Sequence, residues 1–133
     1  MEELKIEIRP RKELSKNGIK SLHWQRAARY TRKSREDAHI LTLEAVQERL
    51  PEGWELPLEQ VEIFITQFYA NRPLDFDGLA MKAAASIDGI VDAGVMPDDS
   101  PQCVVAYNLK HVKVPKQAEN RIEIAVRRPW WER

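Results

Sequence analysis

Residues 58–94 read LEQVEIFITQFYANRPLDFDGLAMKAAASIDGIVDAG, and the period of the apolar residues changes partway through. Over 58–69, β-branched and large apolar types dominate. Val61, Ile63 and Ile65 fall on one face, with Glu62 and Phe64 on the other, as in a strand. Asn71-Arg72-Pro73 breaks it. Over 78–93, Leu79, Ala83, Ile87, Ile90 and Val91 recur as a helical stripe. The small residues Ala80, Ala83, Ala84, Ala85 and Ser86 let that helix lie close to a sheet. Asp77 is the expected N-cap, because a carboxylate there accepts an orphan backbone N–H. Gly94 is the expected C-terminal stop.

Working outward, Leu4, Ile6 and Ile8 alternate with Lys5, Glu7 and Arg9, which predicts a half-buried strand ended by Pro10. Residues 11–21 are polar, with a turn signal at Asn17-Gly18, and predict a mobile basic loop. Residues 23–50 look helical through Ala27, Tyr30, Ala38, Leu41, Ala45 and Val46. Weak apolar support over 31–35 predicts a break between two helices, and Pro51 with Gly53 ends the second. On the C-terminal side, 95–102 predicts a loop holding Asp98 and Asp99. Residues 103–114 and 120–128 predict strands, with a hairpin turn at 116–119. The order β-α-β-α-β-β indicates an α+β fold over a single domain, 1–133.

The 133 residues, 43% hydrophobic and 32% charged, suit one globular domain. No stretch approaches the roughly 20 apolar residues that a membrane helix needs. The opening MEELKIEIRP lacks the layout of a signal peptide, so a cytoplasmic location is expected. Cys103 is the only cysteine, which excludes an internal disulfide and a cysteine-built zinc cluster. The formal net charge is zero but segregated. From Arg9 to Arg35 there are ten bases and one acid, Glu13, giving +9; from Glu52 to Asp99 there are ten acids and two bases, giving −8. A basic surface beside an acidic one suits phosphate and metal binding together. It is equally the pattern of surface charges that pair on folding. Arg26, Arg29, Tyr30 and Arg32, beside His23 and Trp24, interleave rings and bases in a way that suits stacking on exposed bases. Trp24 and Tyr30 equally suit anchoring the helix to the core. Trp130 and Trp131 are expected to fold back on the sheet or to enter a dimer contact.

Asp75 and Asp77, two residues apart, precede the second helix, while Asp98 and Asp99 follow it. If 75–77 stays extended, both carboxylates point to one side. The intervening helix, about sixteen residues, is roughly 24 Å long, so a loop and the sheet pairing must bring Asp99 back. If they meet, three carboxylates form a hard oxygen site for Mg²⁺. One or two ions would polarise a phosphate and activate water. Helix capping by Asp77 and turn roles for Asp98 and Asp99 account for the same residues. So does an exposed helix lysine for Lys82. His23, His39 and His111 have no short metal-ligand spacing. No phosphate-binding or dinucleotide glycine motif occurs, so no nucleotide cofactor is expected. There is no G-x-S-x-G.

The string RPLDFDGLAMKAAASIDGIVDAGVMPDDSPQ resembles the core of RusA-type Holliday junction endonucleases. The features that match are the D-x-D pair Asp75 and Asp77, Leu79, Lys82, Asp88, Ala93-Gly94 and the pair Asp98-Asp99. Gly78 stands where Asn is usual, and Lys82 lies one residue further from Asp77 than in the familiar arrangement. The close match covers about thirty residues, and the element order extends a weaker match to most of the chain. The resemblance implies a RusA-like two-layer fold, with a mixed sheet packed against helices. It assigns Asp75, Asp77 and Asp99 to metal binding and catalysis, with Lys82 in support and Asp98 and Asp88 around them. It implies a homodimer that resolves four-way DNA junctions by paired symmetric hydrolysis, using Mg²⁺ with Mn²⁺ as an alternative. The alternative is a catalytically inactive branched-DNA-binding protein of the same fold. Lys12, Lys16, Lys20, Arg26, Arg29, Arg32, Lys33 and Arg72 are the candidate DNA-binding residues. A bacterial, prophage or phage origin is implied by the family alone.

Overall fold

The structure is a computed structural model that describes residues 2–9 and 24–133, with side chains from residue 28 onward in the second segment. The expected basic loop, with Lys12, Lys16 and Lys20, lies outside the described residues, as does the side chain of Arg26.

Among the described residues, four strands form one mixed sheet. In chain order the elements are β1 (Leu4–Ile8), α1 (Trp24–Arg49), β2 (Val61–Tyr69), α2 (Phe76–Asp92), β3 (Val104–Lys113) and β4 (Arg121–Arg127). The sheet order is β1-β4-β2-β3. β4 runs antiparallel to both β1 and β2, whereas β2 and β3 are parallel. Parallel neighbours need a crossover, and α2 supplies it. The alternation read from the sequence holds. Leu4, Ile6, Val61, Ile63, Ile65, Ile122, Ile124 and Val126 are all buried in one core with Leu79, Ala83, Ile87 and Ile90 of α2.

The segment before β4 is not a hairpin between paired strands. A short 3-10 helix (Gln117–Glu119) leads β4 away from β3 and into the sheet between β1 and β2. Burial explains the choice. β4 has a fully apolar inner face, suiting a central strand, while β3 exposes Tyr107, Asn108 and Lys110, suiting an edge.

Nor is there a break at 31–35, for α1 is one helix of 26 residues. Thr31, Arg32, Lys33 and Arg35 face solvent, where helix propensity decides and no apolar support is needed. Lys33 and Asp37 pair one turn apart at 3.7 Å. Packing resumes at Ala38, where α1 crosses α2 over Gly89. A Cβ at Gly89 would collide with the Arg35 carbonyl oxygen and lie 2.8 Å from the Ala38 Cβ. Arg35 then clasps Asp92 beyond the crossing, at 2.6 and 2.8 Å.

The sheet's other face is a mesh of charge and rings. The Arg127 guanidinium lies 3.9 Å over the Phe64 ring and that of Arg121 3.8 Å over Phe68. Arg133 reaches back to the buried Glu62 carboxylate at 2.7 Å. Trp130 and Trp131 do not fold onto the sheet in this chain. They remain 67% and 50% exposed, edge to face with one another, because the short 3-10 helix Trp130–Glu132 turns them outward. Among the described residues, no helix is long and apolar enough to cross a membrane.

Candidate active site

The loop between β2 and α2 carries the first two aspartates. Leu74 packs against the core and the chain then turns helical. Asp75, not Asp77, is the N-cap: its φ and ψ are −67° and 171°, and its Oδ1 accepts the Gly78 N–H at 2.6 Å. A capping oxygen reaches the amide two or three positions on, and only Asp75 has extended backbone. Asp77 therefore sits in the first turn of α2. The two carboxylates do not follow strand alternation, as the extended reading required. Asp75, Phe76 and Asp77 are all exposed, and the Phe76 ring rests edge-on against His111 of β3 at 5.0 Å.

Asp77, Ala80, Ala84 and Asp88 recur at helical spacing, so they share one face of α2. Beside that face runs a groove of about 200 Å³, lined by Ile65, Ala80, Ala84, Ile87, Asp99, Tyr107 and Leu109. Its alanines give it room, and Asp99 comes back to it from the loop after α2. There Asp99 lies close enough to Asp88 for the two carboxylates to feel each other's charge. Burial, then the charge of Asp99, raises the Asp88 carboxyl above the usual aspartate range. The Tyr107 phenol is raised by burial, then by Asp99 and Asp88.

The fold thus brings Asp99 to Asp88, while Asp75 and Asp77 sit near the other end of the helix. Asp77 and Asp88 are eleven residues apart, a rise of about 16 Å. Among the described residues, no three His, Cys, Asp or Glu side chains converge closely enough to hold a metal ion. The donors of the Asp75–Asp77 pair still fit Mg²⁺ in type and number, because that ion commonly takes one or two carboxylates and completes its shell with water and phosphate.

Lys82 points elsewhere. It lies in a crevice with Ile8, Tyr30, Ser34, Ala83, Ser86 and Ile122, between α2, α1 and the ends of β1 and β4. Burial lowers its ammonium to about 8. Around the helix it is about 140° away from Asp77, given 100° per residue. Of the candidate DNA contacts, Arg29, Arg32, Lys33 and Arg72 are exposed, Arg72 three residues before Asp75. Asp98 is exposed on the loop.

Three residues near the site were not assigned to it from the sequence: Gln67, Tyr107 and His111, the last set aside for want of metal-ligand spacing. Only Gln67 had a signal, a polar residue on the apolar face of β2. No protein-family model matches this sequence, and no curated protein matches it.

Proposed function

We propose that the protein is a Mg²⁺-dependent endonuclease of RusA type that cuts four-way DNA junctions as a homodimer. The observation that supports it best is the exposed pair Asp75 and Asp77 at the start of α2, with Arg72 just before it and the bases of α1 on the same chain. Asp75 and Asp77 would hold the ion. When bound, the ion polarises the scissile phosphate and lowers the pKa of a water. Arg72 would bind a phosphate of the strand, and Arg29, Arg32 and Lys33 would hold a junction arm. Asp99 and Asp88 would act from the far end of the groove, where burial and the charge of Asp99 raise the proton affinity of Asp88. A two-fold dimer would let one protomer act on each of two symmetry-related strands.

The pairing of Asp99 with Asp88, rather than with Asp75 and Asp77, favours a second reading: a branched-DNA-binding protein without cleavage. A labelled synthetic four-way junction, with and without Mg²⁺ and beside a linear duplex, separates the two. Paired nicks that require metal and spare the duplex are expected. Asp77→Asn should abolish them while junction binding persists. Wild-type cutting by Asp77→Asn would remove the assigned site. Tight binding with no cleavage under any divalent ion would establish the second reading.

A further inference from the structure

Side chains on the inner face of the sheet line up in rows. Leu4, Val126, Ile63 and Tyr107 make one row, and Ile6, Ile124, Ile65 and Leu109 the next. The third is Ile8, Ile122, Gln67 and His111. In that row Gln67 occupies a position where the alternation of β2 calls for an apolar residue, yet it is only 7% exposed. A buried amide is costly unless it is bonded.

The bond that Gln67 makes leads to the candidate site. Its Oε1 accepts the Leu74 N–H at 3.0 Å, and Leu74 immediately precedes the N-cap Asp75. At the other end of the same loop, Asn120 Oδ1 accepts the Ala70 N–H at 2.8 Å. His111, the neighbour of Gln67 on β3, packs against Phe76, which stands between the two aspartates. A methionine or leucine would fill the core at position 67 as well as glutamine does. What glutamine adds is the acceptor for one loop amide.

We infer that Gln67 is a positioning residue for the aspartate pair: through the Leu74 amide it fixes the backbone from which Asp75 and Asp77 project. This rests on the reading of that pair as metal-holding carboxylates. Partners that orient metal ligands commonly change metal affinity or activity by about 10–100-fold when removed.

Gln67→Met keeps length and removes the acceptor, whereas Gln67→Glu keeps an accepting oxygen. In the full chain, Gln67→Met should unfold cooperatively and bind the junction in Ca²⁺ as the wild type does. Its Mg²⁺ midpoint for cleavage should rise about tenfold or more, with Gln67→Glu recovering most of the difference. A wild-type midpoint in Gln67→Met, or an equal loss of junction binding, overturns the inference. Amide hydrogen exchange gives a readout independent of cleavage. Leu74 should be protected in the wild type and exchange about tenfold faster in Gln67→Met, the scale of one lost hydrogen bond. Rapid wild-type exchange at Leu74 overturns the inference without any variant. If the wild type does not cut, the nuclease reading fails by itself. Broadening of the 74–79 amides by Mn²⁺ alone then tests the positioning role: weaker broadening in Gln67→Met supports it, and equal broadening refutes it.

Discussion

Lys82 shows how one side chain departs from the plain reading of its sequence. An exposed helix lysine is the ordinary outcome, but here the ammonium is drawn into a crevice between two helices and the ends of two strands. Because burial lowers it to about 8, against an ordinary value near 10.4, the folded protein loses this proton before the unfolded chain does. Between those values the unfolded state binds more protons, so stability rises with pH from about 8 to about 10.4, and below about 8 the full penalty is present. Lys82→Met should therefore raise the melting temperature at pH 7, with the gain shrinking as the pH approaches 10. A pH series of thermal unfolding on both proteins checks the sign; a fall in melting temperature at pH 7 would show that the ammonium is held by a favourable partner. The position of Lys82 on α2 was legible from its number in the sequence. Its surroundings were not, because Ile8 and Ile122 come from strands more than thirty residues away on either side. The same holds for Asp99. Its neighbour Asp88 could be placed on the helix face, but the return path of the loop depends on where β3 begins.

The elements themselves were more readable than their ends and partners. Period-two alternation placed β1, β2 and β4 within a few residues, since each buries one face against the same core. The N-cap moved from Asp77 to Asp75 because two aspartates at that spacing can both cap, and only backbone torsion chooses between them. The strand order was not legible: Ile122, Ile124 and Val126 require burial, but nothing in them specifies β2 and β1 as neighbours instead of β3. Gly89 is the element-scale feature with the sharpest consequence. The sequence places it only within the helix expected over 78–93, whereas it sits where α1 lies against α2 so closely that a methyl group would meet the Arg35 carbonyl. A backbone oxygen cannot rotate aside as a side chain can. Gly89→Ala should therefore destabilise by about 1–3 kcal/mol, although alanine has the better helix propensity. Chemical denaturation of the two proteins measures this. A stabilised Gly89→Ala would mean that the helices separate at little cost.

At the scale of the whole molecule, the segregated charge read from the sequence becomes a question of which bases are committed. Arg35 is held by Asp92 in a two-pronged bond, which raises the guanidinium pKa and lowers that of the carboxyl. Arg121, Arg127, Arg128 and Arg133 are likewise paired with Glu123, Glu3, Glu2 and Glu62. Arg29, Arg32 and Arg72 are exposed and make no ion pair among the described residues. A polyanion recruits uncommitted bases and releases their counterions, so each phosphate contact adds roughly 0.9 to the slope of log affinity against log salt. Arg29→Gln with Arg32→Gln should weaken junction binding and make that slope shallower by roughly 1.8 if both touch phosphate. Arg35→Gln, whose charge already faces Asp92, should leave the slope nearly unchanged although it removes half as much formal charge as the double substitution. Fluorescence anisotropy on a labelled junction across a salt series, in Ca²⁺ to prevent cutting, compares the three proteins directly. Equal slopes in all of them would move the DNA off α1. An Arg35 effect half as large as that of the double substitution would show that net charge, and not the placement of free bases, governs binding.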